Sequence, residues 1–236
     1  MRDFEPFLGL PLWVWLFVMP SALAVGCHFA KARLGPVLRP VWRILDSIYV
    51  ASGVVAACFM VTILLLIVAQ MIARWSGVSF PGSTEFAGYA MACTSFFALA
   101  HALTRGAHIR VSVFLNMGTA KRWLDPFALF MSAITATYFA RYAIKTNIFS
   151  ELLNDRTQGQ DQVPEWLVTV LSLPANAPGN WAEMWANTGD DWVFTPIWIP
   201  QLAMSVGAIL LAVCLWDMLT RTLIDGGNPI RGESVE

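Results

Sequence analysis

Few side chains in this 236-residue chain are able to do chemistry, and their spacing excludes most of it. The histidines are His28, His101 and His108, too few to hold a pair of haems between facing helices. The cysteines are Cys27, Cys58, Cys93 and Cys214. They form no CxxC pair and no Cys/His spacing of a zinc site, and all lie in apolar runs where a thiol behaves as a small hydrophobe. No HExxH or DxxDG arrangement occurs, and no serine stands in a nucleophile elbow. The expectation is a protein that is not an enzyme and needs no cofactor or metal. The densest cluster is Thr104-Arg-Gly-Ala-His-Ile-Arg-Val111. His108 has no co-ligand in it, so the stretch reads as a connector that must sit in a particular place.

Charged groups beside apolar runs are the next candidates. An ion-coupled transporter acting alone needs acids or interrupted helices near the bilayer midplane. Here Asp46, Glu85, Asp125 and Asp217 stand at the ends of apolar runs, and Gln70 is the most polar member of the longest. An accessory membrane subunit therefore fits better than a self-sufficient permease. Three basic residues stand apart from the general charge pattern. Arg74 closes the second run, where its two pairing readings are Glu85 across a short turn and a partner subunit, and Arg141 with Lys145 makes an i, i+4 stripe. Snorkelling to lipid phosphate and pairing with a partner subunit are the two readings of that stripe.

These residues have to be positioned by helices in lipid. The chain is 57% hydrophobic and 13% charged, against about 25% charged residues in ordinary soluble domains. Its net charge of −1 offers no basic face to nucleic acid. Uncharged runs cover 6–30, 47–73, 86–104, 126–140 and 192–216, and a crossing takes about 20 mostly apolar residues. The fourth run is short, but its helical pattern continues to Phe149. The fold class expected is an all-α membrane bundle of four core transmembrane helices, with the N-terminal run as a fifth span or an interfacial helix. Two prolines and clustered tryptophans in that run admit either reading, and an N-out span agrees with its flanking charges.

Orientation follows from the basic residues of the short loops. Lys31, Arg33, Arg39 and Arg43 follow the first run, while Arg105, Arg110, Lys121 and Arg122 follow the third. Both loops are expected in the cytoplasm, as is the C-terminus. Segment 150–191 holds seven acids against the single Arg156 and belongs on the opposite side. Trp42, Trp123 and Trp216 fall near cytoplasmic ends, and Trp75 and Trp198 near the others, as an aromatic belt requires. Pro81-Gly82-Ser83 turns the chain, with Ser83 as an N-cap and Glu85 in the first helical turn. Pro196 suits the first turn of the last span, and Gly226-Gly227-Asn228-Pro229 ends it.

The expected organisation is therefore 1–45, an apolar segment and basic linker; 46–149, three spans with an amphipathic connector at about 107–122; 150–195, an acidic insert; and 196–236, the last span and a tail. The insert carries Trp166, Trp181, Trp185 and Trp192, and a loop of that length is rarely without structure. Its run from Pro164 to Ser172-Leu173 reads as a short helix on the membrane surface.

The hairpin from Gln70 through Arg74-Trp75, Phe80-Pro81-Gly82-Ser83 and Glu85 to Tyr89, followed by Arg105-Gly106-x-His108-Ile109-x-Val111, resembles the DctQ-like family of small membrane subunits of tripartite ATP-independent periplasmic (TRAP) transporters. The order and spacing of these pieces extend over some forty residues. The resemblance implies an inner-membrane subunit with four spans and no catalytic role. Its partners would be a large DctM-like membrane subunit carrying the substrate and sodium sites, a periplasmic substrate-binding protein and the lipid bilayer. It would serve uptake of an organic acid. Arg74, Glu85, Arg105, Gly106, His108, Ile109 and Val111 are the family-pattern positions it marks for a subunit interface. Arg110 departs from the acid often found there, and the N-terminal run and the 150–195 insert exceed the compact family pattern. The rival from another class is a membrane anchor for a respiratory or lipid-modifying complex.

Overall fold

The computed structural model describes residue 6, residues 8–105 and residues 121–225. Among the described residues the protein is all-α apart from one two-stranded ribbon, with four helices long and apolar enough to cross a membrane. In lipid no water satisfies a free backbone N–H or C=O, so uncharged runs close their hydrogen bonds within one helix.

Chain order begins with a π-helical turn, Val14–Val18, running into α1, Met19–Phe29. Together they span 16 residues, about 24 Å of rise against a hydrocarbon core of about 30 Å. This helix falls short of a crossing on its own length, in keeping with the interfacial reading. A break at Ala30 (φ −115°, ψ 40°) separates it from α2, Lys31–Trp75. At 45 residues, α2 extends well past the hydrocarbon, and its basic first turns, with Pro36 and Pro40, form the part expected outside it. Next come α3, Ser83–Thr104, and α4, Lys121–Leu152. The fourth span thus continues through Arg141 and Lys145, as its helical pattern indicates. The insert contributes β1, Gln162–Pro164, α5, Glu165–Ser172, α6, Trp181–Ala186, and β2, Trp192–Phe194, before α7, Trp198–Asp225.

Contacts divide the chain into two compact units. One comprises residues 1–55, 97–142 and 206–236, and the other 56–96 and 143–205. The core of the first is made by Tyr49, Ala100, Cys214 and Met218, with Leu45, Leu103, Leu129 and Leu210 packed against it. Each long helix contributes, and small residues let them approach. Ala133, Ala136 and Ala140 on α4 and Ala208 and Ala212 on α7 are all buried. Trp216 of α7 packs edge-on to Phe130 of α4 and donates its indole N–H to Thr137 Oγ1 at 2.9 Å. At Gly53 of α2 an added Cβ would stand 2.7 to 3.0 Å from three ring atoms of His101 on α3. Gly53→Ala is therefore expected to lose about 1–3 kcal/mol in unfolding titrations, the range for overpacking a filled site. Gly88→Ala in α3, where a Cβ meets nothing within 4 Å, serves as the neutral or slightly stabilising control.

The second unit is organised around the insert. Strands β1 and β2 pair antiparallel, with Val163 opposite Val193. The neck of the insert is closed further by an Arg156–Pro196 bridge and by backbone bonds from Thr157 N–H to Thr195 O and from Ile197 N–H to Asp155 O, each 3.0 Å. Pro196 thus lies in this closure, just before α7 opens at Trp198. The Pro164–Leu173 run forms α5, as its sequence suggests.

Candidate functional sites: two polar fasteners

The first site lies where α2 meets the C-terminal turns of α7. Asp217 and Arg221 are one turn apart on α7, so their side chains share a face. Arg221 Nη2 lies 2.9 Å from Asp217 Oδ2, and Nε donates to Oδ1 at 3.1 Å. The same guanidinium reaches Asp46 of α2 with Nη2 at 2.7 Å and Nη1 at 3.3 Å. Nη2 also donates to the Trp42 carbonyl at 3.1 Å, and Cζ sits 5.4 Å from the centroid of the Trp42 ring. Tyr49 O–H completes the set with a 3.3 Å bond to Asp217 Oδ2. Only a planar fork with five donors serves this many acceptors at once. The Asp217 side chain is 2% exposed, that of Arg221 14% and that of Asp46 52%. This arrangement locks the register of two helices, because its polar atoms are consumed by one another.

The second site fastens the insert to α3. Gly82 precedes the helix with φ +76°, and its carbonyl accepts from Phe86 N–H at 3.0 Å. The helix opens at Ser83 itself, so the residue expected as N-cap is the first helical residue. A Cβ on Gly82 would stand 2.8 Å from the carbonyl oxygen of Gln160, so glycine is required by both φ and space. Glu85, in the first turn, accepts from the Gln160 backbone N–H at 3.2 Å. One turn later Tyr89 donates its hydroxyl to Asp161 Oδ2 at 2.5 Å. Thr157 Oγ1 lies 2.9 Å from both carboxylate oxygens of Asp161. The Asp161 carbonyl accepts from Thr195 N–H at 3.0 Å and Thr195 Oγ1 at 2.8 Å. A Cβ on Gly159 would stand 2.8 Å from Asp161 Oδ1 and 2.9 Å from Glu85 Oε1, so a larger residue there would have to displace both carboxylates.

Asp161 is fully buried. Burial raises its carboxyl, but hydrogen bonds from Tyr89, Thr157, its own backbone and Thr195 outweigh that, and the group is held below the ordinary carboxylate value. In the same unit, Asn147 of α4 donates to the Trp198 carbonyl at 2.7 Å. The insert is therefore bonded to the first turns of α3 and rooted between the joined ends of α4 and α7.

The residues singled out in the sequence fall as follows. Glu85 belongs to the second fastener. Arg74 is exposed at the end of α2, and among the described residues it makes no ion pair with Glu85. Glu85 engages the Gln160 N–H instead. Arg105 is exposed just past α3, its N–H bonded to the His101 carbonyl at 3.1 Å. Arg141 and Lys145 are half-buried, and each is engaged with other groups. Gly106, His108, Ile109 and Val111, and with them the amphipathic connector up to residue 120, lie outside the described residues. Tyr49, Tyr89, Asp161 and Arg221 were not marked by sequence reasoning. The Asp217/Arg221 spacing of four was a local signal for part of the first site, whereas no local pattern links Tyr89 to Asp161.

Residues 63–177 match the family model described as "Tripartite ATP-independent periplasmic transporters, DctQ component". No curated protein and no solved structure matches the chain. The matched span contains Arg74, Glu85, the Arg105–Val111 stretch and the first half of the insert, including Asp161.

Proposed function

We infer that this chain, which matches the DctQ component of TRAP transporters over residues 63–177, acts as the small permease subunit that scaffolds a much larger one. The observation that carries this reading is the uneven cover of its spans. Within the chain 56% of the apolar window of α7 is buried, but only 11% of that of α2. An apolar helix so bare must be covered by lipid or by another protein, and a large DctM-like subunit is the partner the family supplies. The fasteners make this chain a stiff support, holding α2 to α7 at one site and the insert to α3 at the other. A static support is what a moving transport domain needs to work against.

On this reading the protein is a multi-pass protein of the bacterial inner membrane, with 31–46, residues 105–122 and the C-terminus in the cytoplasm, as the Lys/Arg distribution favours. The large subunit carries the substrate and sodium sites, and a periplasmic binding protein delivers the organic acid. Arg74, Arg105 and the Gly106–Val111 stretch are the proposed docking positions for the large subunit, with Arg141 and Lys145 meeting lipid or partner.

The test is co-purification and reconstitution. The chain alone is expected to give no sodium-driven organic acid uptake in vesicles, and to co-purify with a large, many-span membrane protein. Uptake by the isolated chain would overturn the reading. Arg105→Glu is expected to reduce that co-purification several-fold while membrane insertion stays unchanged; equal recovery of the complex would remove Arg105 from the interface.

A further inference from the structure

The insert presents an apolar surface that the fasteners leave uncovered. In α5, Trp166 and Val170 are exposed one turn apart, and in α6 Trp181 and Trp185 repeat the pattern. Each pair lies on one helical face. The polar atoms between the two helices are turned inward. Thr169 and Thr188 share a 2.8 Å hydrogen bond, and Glu165 accepts from Gly189 N–H at 3.0 Å. The indole N–H of Trp181 bonds to the Leu173 carbonyl at 2.9 Å and lies 3.2 Å from the Asn176 carbonyl. That indole has its donor satisfied at home and offers its surroundings an apolar ring.

Depth is fixed by the attachments. The insert leaves α4 at Leu152, rejoins α7 at Trp198, and is held by Glu85 and Tyr89 in the first turns of α3. Residues tied this closely to the ends of three spans lie at the boundary between hydrocarbon and water, where tryptophan is the favoured side chain. The region also has a charge preference, since segment 150–191 holds seven acids and one arginine, and every one of those acids except the buried Asp161 keeps some exposure. An acidic surface is repelled by anionic headgroups.

We propose that α5 and α6 form a lipid-binding platform, with Trp166, Trp181 and Trp185 seated at headgroup depth in the leaflet on the insert's side, and that this platform prefers a zwitterionic surface to an anionic one. The occupant is the bilayer itself, not the substrate-binding protein. Naming that leaflet the periplasmic one rests on the orientation proposed above, whereas the depth of the tryptophans does not.

The test uses the full chain in nanodiscs, with Trp181→Phe and Trp185→Phe as subtractive variants that keep an aromatic ring in place. The emission each tryptophan contributes is the difference between parent and variant. In phosphatidylcholine brominated near the headgroup, that emission is expected to fall at least two-fold, while aqueous iodide changes it little. Iodide quenching without bromolipid quenching would overturn the proposal, as would shielding from iodide that appears only when the binding protein is added. Replacing part of the phosphatidylcholine with phosphatidylglycerol is expected to weaken the bromolipid effect; no change, or a gain, would overturn the stated preference. Cysteines placed in the insert and probed with a membrane-impermeant thiol reagent in cells report the side separately, so a wrong orientation is distinguishable from a wrong depth.

Discussion

Arg221→Met is expected to cost about 3–5 kcal/mol of stability, because it strands the Asp217 carboxylate with no cation beside it. The Asp217 side chain is 2% exposed, so water cannot replace the lost guanidinium. Asp46→Asn is expected to cost about 1 kcal/mol or less, since that carboxylate is 52% exposed and already solvated. Tyr49→Phe removes one 3.3 Å bond to Asp217 and should cost about 1–2 kcal/mol, between neutral and charge-assisted hydrogen bonds. The informative variant is the double one. Asp217→Asn combined with Arg221→Met removes both buried charges, and most of the loss should return. Unfolding titrations of the purified protein in mild detergent measure all four. If the single and double variants are equally unstable, the network is not held by charge compensation.

Asp161→Ala is expected to release the insert while the spans remain folded. It removes the acceptor of Tyr89 and Thr157 from a fully buried position, and bonds to a charged group are worth about 1.5–3 kcal/mol each. Loss of both exceeds what a local closure of a few kcal/mol can absorb. Hydrogen exchange across 157–196 should rise by at least ten-fold, with α7 unchanged. Acid should do the same only at an extreme. The carboxyl is held below its ordinary value in the folded protein, so its contribution is complete above the unfolded value of about 3.9 and is lost as pH falls through the lower, folded one. The insert is expected to stay docked at pH 5 and to loosen below the usual carboxylate range. Loosening near pH 6 would point to a different group.

The spans were legible because a hydrocarbon solvent leaves one way to satisfy the backbone, and the uncharged runs report it directly. Glu85 in a first turn and the helix in the 164–173 run were also readable, being local patterns of charge and periodicity. What the fasteners join was not. Asp46 and Asp217 were placed at the ends of their runs, but Arg221 serves both only after α2 and α7 pack, across 175 residues. Likewise Tyr89 and Asp161 are separated by 72 residues, and nothing near either one announces the other. Arg74 and Glu85 illustrate the opposite error. Proximity in sequence suggested a pair, but the Gln160 N–H takes the acid.

The uneven burial of the spans also has a meaning in time. The helix with the most cover, α7, follows α2, α3 and α4 in the chain, so Asp46 and Tyr49 are made well before it. At about 5–20 residues per second, the interval before Arg221 emerges is on the order of 10–30 s. Through that interval α2, α3 and α4 lack the helix that joins them, and the acid at 46 has no guanidinium. The polar lock between α2 and α7 thus closes only once α7 has been made, and a chain cut short before residue 198 would leave three helices without their common partner for membrane quality control to find.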